Sequence, residues 1–481
     1  MSSHEILFRN AILIDGTGAP RFGGDLGVRG ERISAIGDLT RQGGEIEIDA
    51  SGLVLAPGFI DAHCHDDLAL LHVPLLEAKT SQGVTTVVNG NCGFSLAPVP
   101  LGRGRPPAPL DAMTGNGRFT FETFADYFGA LEASRSSVNS VCLVGHSVLR
   151  HAVMDDLDRA ATSKEIEAMR ALLDQAMADG AIGLSTGLFY PPSAAAPTGE
   201  VIALAQVLAR WDGVYVTHMR NEADGVADSL RETFQIGRDA GVPVIVSHHK
   251  CMGRSNHGRS VETLALIDDA RRDQTVWLDA YPYVATSTFL QPSRVRESAR
   301  VLITRSETTP GAAGRDLADL AREFGCSAEE AAERLVPAGA IYFQMDEADV
   351  TRILAYEHTM IGSDGIVLDP HPHPRAWGTF PRVLGHYARD LGVFSLEEAV
   401  RKMTSLTAGR FGLEGRGVLR EGAHADLVLF DPVTVRDIAD FEQPARPAAG
   451  IHQVWTNGRC VWRDGGPTGA RPGRALQRPA G

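Results

Sequence analysis

His63-Cys64-His65 closes an apolar stretch, residues 53–60, that is broken at Pro57 and Gly58. On a strand, alternate side chains share a face, so His63 and His65 point one way and Cys64 the other. Two imidazoles on one face at a strand end make half of a metal site. Ligand-type residues also end later apolar runs: Cys92 in Asn91-Cys92-Gly93, His146 in Gly145-His146-Ser147, and His218 in Thr217-His218-Met219. His248 and His249 end another in Ser247-His248-His249-Lys250, and Asp364 a last one in Gly362-Ser363-Asp364-Gly365. A Cys/His/His set from Cys92, His218 and His248 offers one thiolate and two imidazoles, a tight donor set for Zn²⁺ that leaves a fourth position open. His63, His65 and Asp364 form a second, harder set. Zinc acidifies a water and polarises a carbonyl, and Asp364 beside it can take the water's proton and return it to a leaving amine. His249 must face away from His248 on a regular strand and is expected to pack. His146 is either a satisfied core histidine or a further site residue.

The elements that must position these groups alternate. Short apolar runs occupy residues 55–65, 83–93, 138–147, 180–188, 213–220, 242–250, 275–283 and 358–365, and segments of helical periodicity such as 163–179, 226–240 and 261–272 lie between most of them. Ser163 with Glu165 and Glu167 nearby reads as a helix start, and Gly180 as a stop. Eight such alternations predict a (β/α)₈ TIM-type barrel over residues 57–411, with the active site at the carboxyl ends of its strands. The gap between the seventh and eighth runs predicts an insertion at about residues 285–345, with a helix near 327–335, that covers the site mouth. Residues 1–56 and 412–481 are rich in short strands, among them 6–8, 11–14, 25–28 and 32–36, and Asn457-Gly458 is a hairpin signal. The two ends are expected to fold together into one small β-sandwich domain. A loose tail is expected from Asp464.

Composition narrows the class. A chain of 481 residues exceeds a single ordinary core, and its 43% hydrophobic and 22% charged residues are those of a soluble globular protein. A net charge of −14 argues against nucleic acid as a partner. No apolar run reaches the roughly 20 residues of a membrane span, and the first residues lack the basic and apolar regions of a signal peptide. Six cysteines without paired spacing suggest a reducing compartment. A cytoplasmic protein, monomeric or a small homo-oligomer, is expected.

Longer blocks carry a specific resemblance. Pro57-Gly58-Phe59-Ile60-Asp61-Ala62-His63-Cys64-His65 resembles the opening motif of the metal-dependent amidohydrolase superfamily. The run from Ser81 to Gly93, Ser185-Thr186-Gly187-Leu188, Thr217-His218-Met219-Arg220-Asn221-Glu222 and Ser247-His248-His249-Lys250 resemble its N-acyl-D-amino-acid deacylase branch, the D-aminoacylases. So do Asp279-Ala280-Tyr281-Pro282-Tyr283, Ile361-Gly362-Ser363-Asp364-Gly365 and His373-Pro374-Arg375-Ala376-Trp377-Gly378-Thr379-Phe380. The resemblance implies hydrolysis of N-acyl-D-amino acids to a carboxylate and the free D-amino acid. It implies a tight zinc on Cys92, His218 and His248, a weaker second metal on His63, His65 and Asp364, and Asp364 as catalytic acid/base. No lysine ends the fourth run to bridge two metals, and Cys92 takes that role. Lys250, Tyr281 and Arg375 match the family's clamp on the substrate α-carboxylate, a job for which an arginine fork and a lysine point charge are suited.

The substrate side chain is less determined. Arg294 and Arg296 could pair with an acidic side chain, as in a D-glutamate- or D-aspartate-selective deacylase. Phe289, Leu290, Phe343 and Met345 could instead line an apolar pocket, and neutral or hydrophobic D-amino acids are the expectation. The rivals are a cyclic-amide hydrolase of the hydantoinase or dihydroorotase type, which usually carries the fourth-strand lysine, and a non-catalytic scaffold, which has no need of all six ligand residues.

Overall fold

A computed structural model describes residues 4–100, 102–104, 106–110 and 120–478. Its interior is two parallel sheets of short strands, one of three strands and one of six. Phe59–Asp61 pairs with Val84–Asn89, which pairs with Asn139–Cys142. Val144–Gly145 pairs with Gly183–Gly187, followed by Val214–His218, Val244–Val246, Val276–Ala280 and Thr359–Ile361. The last strand returns to the first, where Ala62 N donates to Ile361 O at 3.1 Å and Cys64 bridges Gly365. Nearly every residue of these strands is buried, because helices cover the outer face.

The helices follow from local signals. Thr162, rather than Ser163, caps Ser163–Ala178: its hydroxyl accepts from Glu165 N while the Glu165 carboxylate accepts from Thr162 N. Val226–Ala240 ends on Gly241 at φ 69°, a left-handed C-cap that glycine adopts without strain. The predicted helix near 327–335 is Ala328–Leu335, capped by Ser327.

The insertion is built as a unit. Ala285–Phe289, Val301–Ser306 and Ala338–Phe343 make a three-stranded antiparallel sheet, and Leu317–Phe324 and Ala328–Leu335 pack on it around a core that includes Leu290, Ile303, Leu320 and Leu335. The two chain ends meet in one nine-stranded sheet, joined where Leu427–Phe430 pairs antiparallel with Val54–Pro57. Residues 6–8 and 11–14, expected as separate strands, belong largely to one strand, His4–Leu13, with a bulge between Phe8 and Ala11 and Asn10 at φ 56°. That bulge forks the sheet: the first half of the strand pairs with Gly44–Asp49 and the last residues with Val54–Pro57. Asn457 and Gly458 both have positive φ, as the predicted hairpin between Ile451–Thr456 and Arg459–Arg463 requires.

The tail differs from expectation. Gly473 N donates to Ser136 O, Leu476 N to Ser140 O and Arg478 N to Gly180 O, so residues beyond Asp464 run along the strand bottoms. Backbone hydrogen bonding holds this segment despite its Gly, Pro and Arg content. Among the described residues no helix is long and apolar enough to cross a membrane.

Candidate active site

His218 closes its strand, and the other ligand-type residues lie just beyond theirs, three of them on turns that re-aim them. Cys92, His248 and Asp364 have φ values of 55°, 34° and 48°. Left-handed backbone costs a non-glycine residue of the order of 1–3 kcal/mol and concentrates at functional sites. Gly90, at φ 76°, prepares the turn before Cys92: a Cβ there would sit 2.1 Å from Leu143 O.

Two groups of ligand atoms result. One is Cys92, His218 and His248; the other is His63, His65, Cys92 and Asp364. Within each, the donor atoms lie within 4.8 Å of one another. The groups share Cys92, whose Sγ is 3.3 Å from Nε2 of both His63 and His248. Asp364 Oδ1 is 3.2 Å from His65 Nε2 and 3.6 Å from His63 Nε2. All six residues are buried or at the edge of burial. The donor chemistry fits a metal: Nδ1 of His218 is buried with no hydrogen-bond partner and is free to ligate.

Charge follows from crowding. Burial alone would push the Cys92 thiol up, but His63 and His248 hold it well below the usual thiol range. Burial would likewise raise the Asp364 carboxyl, yet Arg375, His248 and His65 hold it well below the carboxylate range. Burial would lower His65; Asp364 and Cys92 instead raise it to about 9. A cation bound among these groups would displace the imidazolium protons.

The residues expected to form the clamp converge on the same place. Arg375 Nη2 lies 2.8 Å from Asp364 Oδ2, and its guanidinium sits 4.5 Å from the Tyr281 ring centre. Nε and Nη1 of Arg375 and the hydroxyl of Tyr281 are buried without partners. Lys250 Nζ donates to Glu222 at 2.6 Å and lies 5.7 Å from the Tyr281 ring. A cleft beside His65 and Asp364 is lined by Phe94, Tyr190, Thr288 and Phe289, with Arg305 and Asp369 paired at 2.7 Å. Phe189 and Tyr190 pack on the His218 ring at 5.4 and 4.8 Å.

Other candidates fall elsewhere. His146 begins a helix rather than ending a strand, and its Nε2 lies 3.1 Å from Glu200, which also takes Arg150. It belongs to a buried ion cluster of its own, and among the described contacts none joins it to the ligand groups. His249 packs as expected, with Nε2 2.8 Å from Thr263 Oγ1. Arg294 lies over the rings of Phe189 and Tyr342, at 5.2 and 5.1 Å, and its Nη2 is 3.2 Å from Gln344 Oε1. Arg296 is exposed and pairs with Glu329. Of the four apolar residues expected to line a pocket, Phe289 does so. Met345 borders a small cavity with Lys250 and Tyr281. Leu290 lies in the insertion's own core and Phe343 packs on Phe441.

Several supporting residues escaped sequence reasoning. Asp279 Oδ1 accepts from His248 N at 2.9 Å, and its Oδ2 lies 3.3 Å from His63 Nδ1. Asp61 accepts from Ser363 N and from the buried Lys79 ammonium, tying the first strand end to the loop of Asp364. The Asp in Phe59-Ile60-Asp61 and the Asp in Asp279-Ala280 stood inside the motifs, but acids are frequent turn residues and spacing alone does not mark them.

Residues 47–328 and 255–462 match the model of the Amidohydrolase family. The chain belongs to the amidohydrolase family, in its N-acyl-D-amino-acid deacylase branch. It is 57% identical over 476 residues to a D-aminoacylase of Alcaligenes xylosoxydans xylosoxydans, covering 99% of this chain and 98% of the other. An N-acyl-D-aspartate deacylase of the same organism is 53% identical, covering 98% and 95%. The crystal structure of N-acyl-D-glutamate deacylase from Bordetella bronchiseptica, complexed with zinc and a phosphonate mimic of the tetrahedral intermediate, superposes with a TM-score of 0.95. It is 47% identical and covers 99% of this chain and 100% of that one.

Proposed function

We propose that the chain hydrolyses the amide of N-acyl-D-amino acids, with zinc held by Cys92, His218 and His248. The observation that carries this reading is Asp364, an anion set between the ligand rings and an arginine with two unused donors. When bound, zinc lowers the pKa of a water towards neutrality and polarises the scissile carbonyl. Asp364 then takes the proton of the attacking water and delivers it to the leaving amine nitrogen. Arg375 and Tyr281 seat the substrate's α-carboxylate through their unpaired donors, and Lys250 adds a second positive charge. With carboxylate and carbonyl both pinned, the two enantiomers send their side chains in different directions, which is the basis for stereoselection. A second, weaker metal would rest on His63, His65 and Asp364, with Cys92 shared.

The same reading takes the parallel strands as a closed (β/α)₈ barrel over residues 57–411, interrupted by the insertion at 285–345. The segments 1–56 and 412–481 are its small β domain. The return of the last strand to the first and the continuous sheet across both chain ends support this division. Six unpaired cysteines support a cytoplasmic setting.

For the substrate side chain, Phe94, Tyr190 and Phe289 in the cleft favour neutral or hydrophobic D-amino acids. Arg294 supports a second reading, because among the described residues it has aromatic and amide contacts but no carboxylate partner. Racemic N-acetyl-methionine, incubated with metal-analysed protein and resolved on a chiral column, should yield D-methionine alone, with about one zinc per chain. Release of no amino acid from either N-acetyl-methionine or N-acetyl-glutamate by zinc-loaded protein would overturn the deacylase reading, and faster turnover of N-acetyl-D-glutamate than of N-acetyl-D-methionine would decide for Arg294.

Arg375→Lys tests the clamp. It keeps the charge but loses the fork, and kcat/KM should fall about tenfold to a hundredfold, the worth of one charge-assisted hydrogen bond. Unchanged steady-state kinetics would remove Arg375 from substrate binding.

A further inference from the structure

Glu222 follows the strand that ends in His218 and is buried, at 3% exposure. Its Oε1 lies 3.0 Å from His248 Nδ1 and accepts from Lys250 Nζ at 2.6 Å. Its Oε2 lies 3.4 Å from His218 Nε2. One carboxylate therefore faces a nitrogen of each imidazole in the Cys92 group. An ionised carboxylate only accepts hydrogen bonds, so a ring that bonds to it turns an N–H towards it. The lone pairs are then left on Nδ1 of His218, which has no hydrogen-bond partner, and on Nε2 of His248, 3.3 Å from Cys92 Sγ. The two rings are thus set to ligate through unlike nitrogens. Lys250 Nζ also lies 2.8 Å from His248 Nδ1. The ammonium can only donate, so Lys250 competes with Glu222 at this nitrogen: the carboxylate favours a proton on Nδ1 and the ammonium a lone pair there.

We propose that Glu222 is the positioning residue of the tight metal site: it sets the tautomers of His218 and His248 together and anchors the Lys250 ammonium beside Tyr281. The proposal rests on the reading that Cys92, His218 and His248 hold zinc. Glutamine at 222 would present one oxygen and one NH₂ group. The NH₂ faces one of the rings and drives its proton to the metal side. Loss of an outer carboxylate of this kind costs about 10–100-fold in metal affinity.

The test is a competition titration of zinc against a chromogenic chelator at fixed pH, on wild type, Glu222→Gln, Glu222→Asp and Cys92→Ser. Melting of each protein is followed with and without zinc. Glu222→Gln should bind zinc about 10–100-fold more weakly and lose part of the stabilisation that zinc confers, over and above the drop in melting temperature that the unpaired, buried Lys250 ammonium causes with and without metal. Wild-type affinity in Glu222→Gln overturns the proposal, as does an equal drop in melting temperature with and without zinc. Should the Gln variant fail to fold, Glu222→Asp decides, because its shorter carboxylate cannot serve both rings: weakened zinc supports the proposal and wild-type affinity overturns it. Wild type and Cys92→Ser holding zinc equally would instead sink the zinc-site reading itself.

Discussion

Asp364→Ala should lower kcat by between about a hundredfold and ten-thousandfold, the range for losing a positioned general acid–base, while zinc on the Cys92 group stays bound. The two effects separate because the donors do. Asp364 belongs with His63, His65 and Cys92, and it is absent from the Cys92, His218 and His248 group. Arg375 and the neighbouring imidazoles hold it well below the carboxylate range, against burial, so it is ionised at neutral pH. Alanine also leaves Arg375 without its 2.8 Å partner, which disturbs substrate seating. Asp364→Asn isolates the proton transfer, because the amide keeps the shape and a hydrogen bond to Arg375 but cannot take the proton. The same loss of kcat in Asn and Ala, at one zinc per chain by elemental analysis, is the expected result. Activity retained in either variant would place the proton transfer on another group.

Cys92→Ser should remove the metal and with it turnover. Cys92 is the one residue common to both ligand groups, so its loss strikes both. Serine keeps a small polar side chain on the same left-handed turn, but its hydroxyl is not ionised where the thiol is held well below its usual range. His63 and His248, each 3.3 Å from that sulfur, lose the negative charge that allows them to crowd together. Zinc affinity should fall by more than the roughly hundredfold that losing an outer-shell partner costs. The measurement is zinc content after dialysis, paired with the rate on N-acetyl-D-methionine. A serine variant that keeps its zinc through dialysis and turns over at the wild-type rate would exclude Cys92 as a ligand.

Much of this site is legible in the amino-acid sequence. His-X-His after a broken apolar run, and Cys, His and Asp at the ends of later runs, name the donor atoms and the order in which the chain delivers them. Strand alternation separates His248 from His249 as observed, but on incomplete grounds. The strand Val244–Val246 stops two residues short of His248, and positive φ rather than strand pleat aims that ring. His146 shows the opposite failure. Its apolar run reads like the others, yet the chain turns helical at that residue, and Glu200, which also pairs with Arg150, lies against its ring. Periodicity does not contain that partner, which lies 54 residues away.

The sequence by itself determined the donor types, the strand–helix alternation that brings them to strand ends, the insertion and the meeting of the two chain ends. These are local quantities, set by side-chain chemistry and by the periods of strand and helix. Only the tertiary structure decided that one cysteine sulfur lies in two groups of ligand-type atoms, that Asp279 and Glu222 lie against the histidines, and that Arg375 pairs with Asp364 while two of its nitrogens stay without a partner. It also decided which of several apolar side chains line the cleft and which serve the insertion's own core. Those outcomes depend on which strand ends face one another across the interior, and a buried charge finds its partner by proximity in space rather than along the chain.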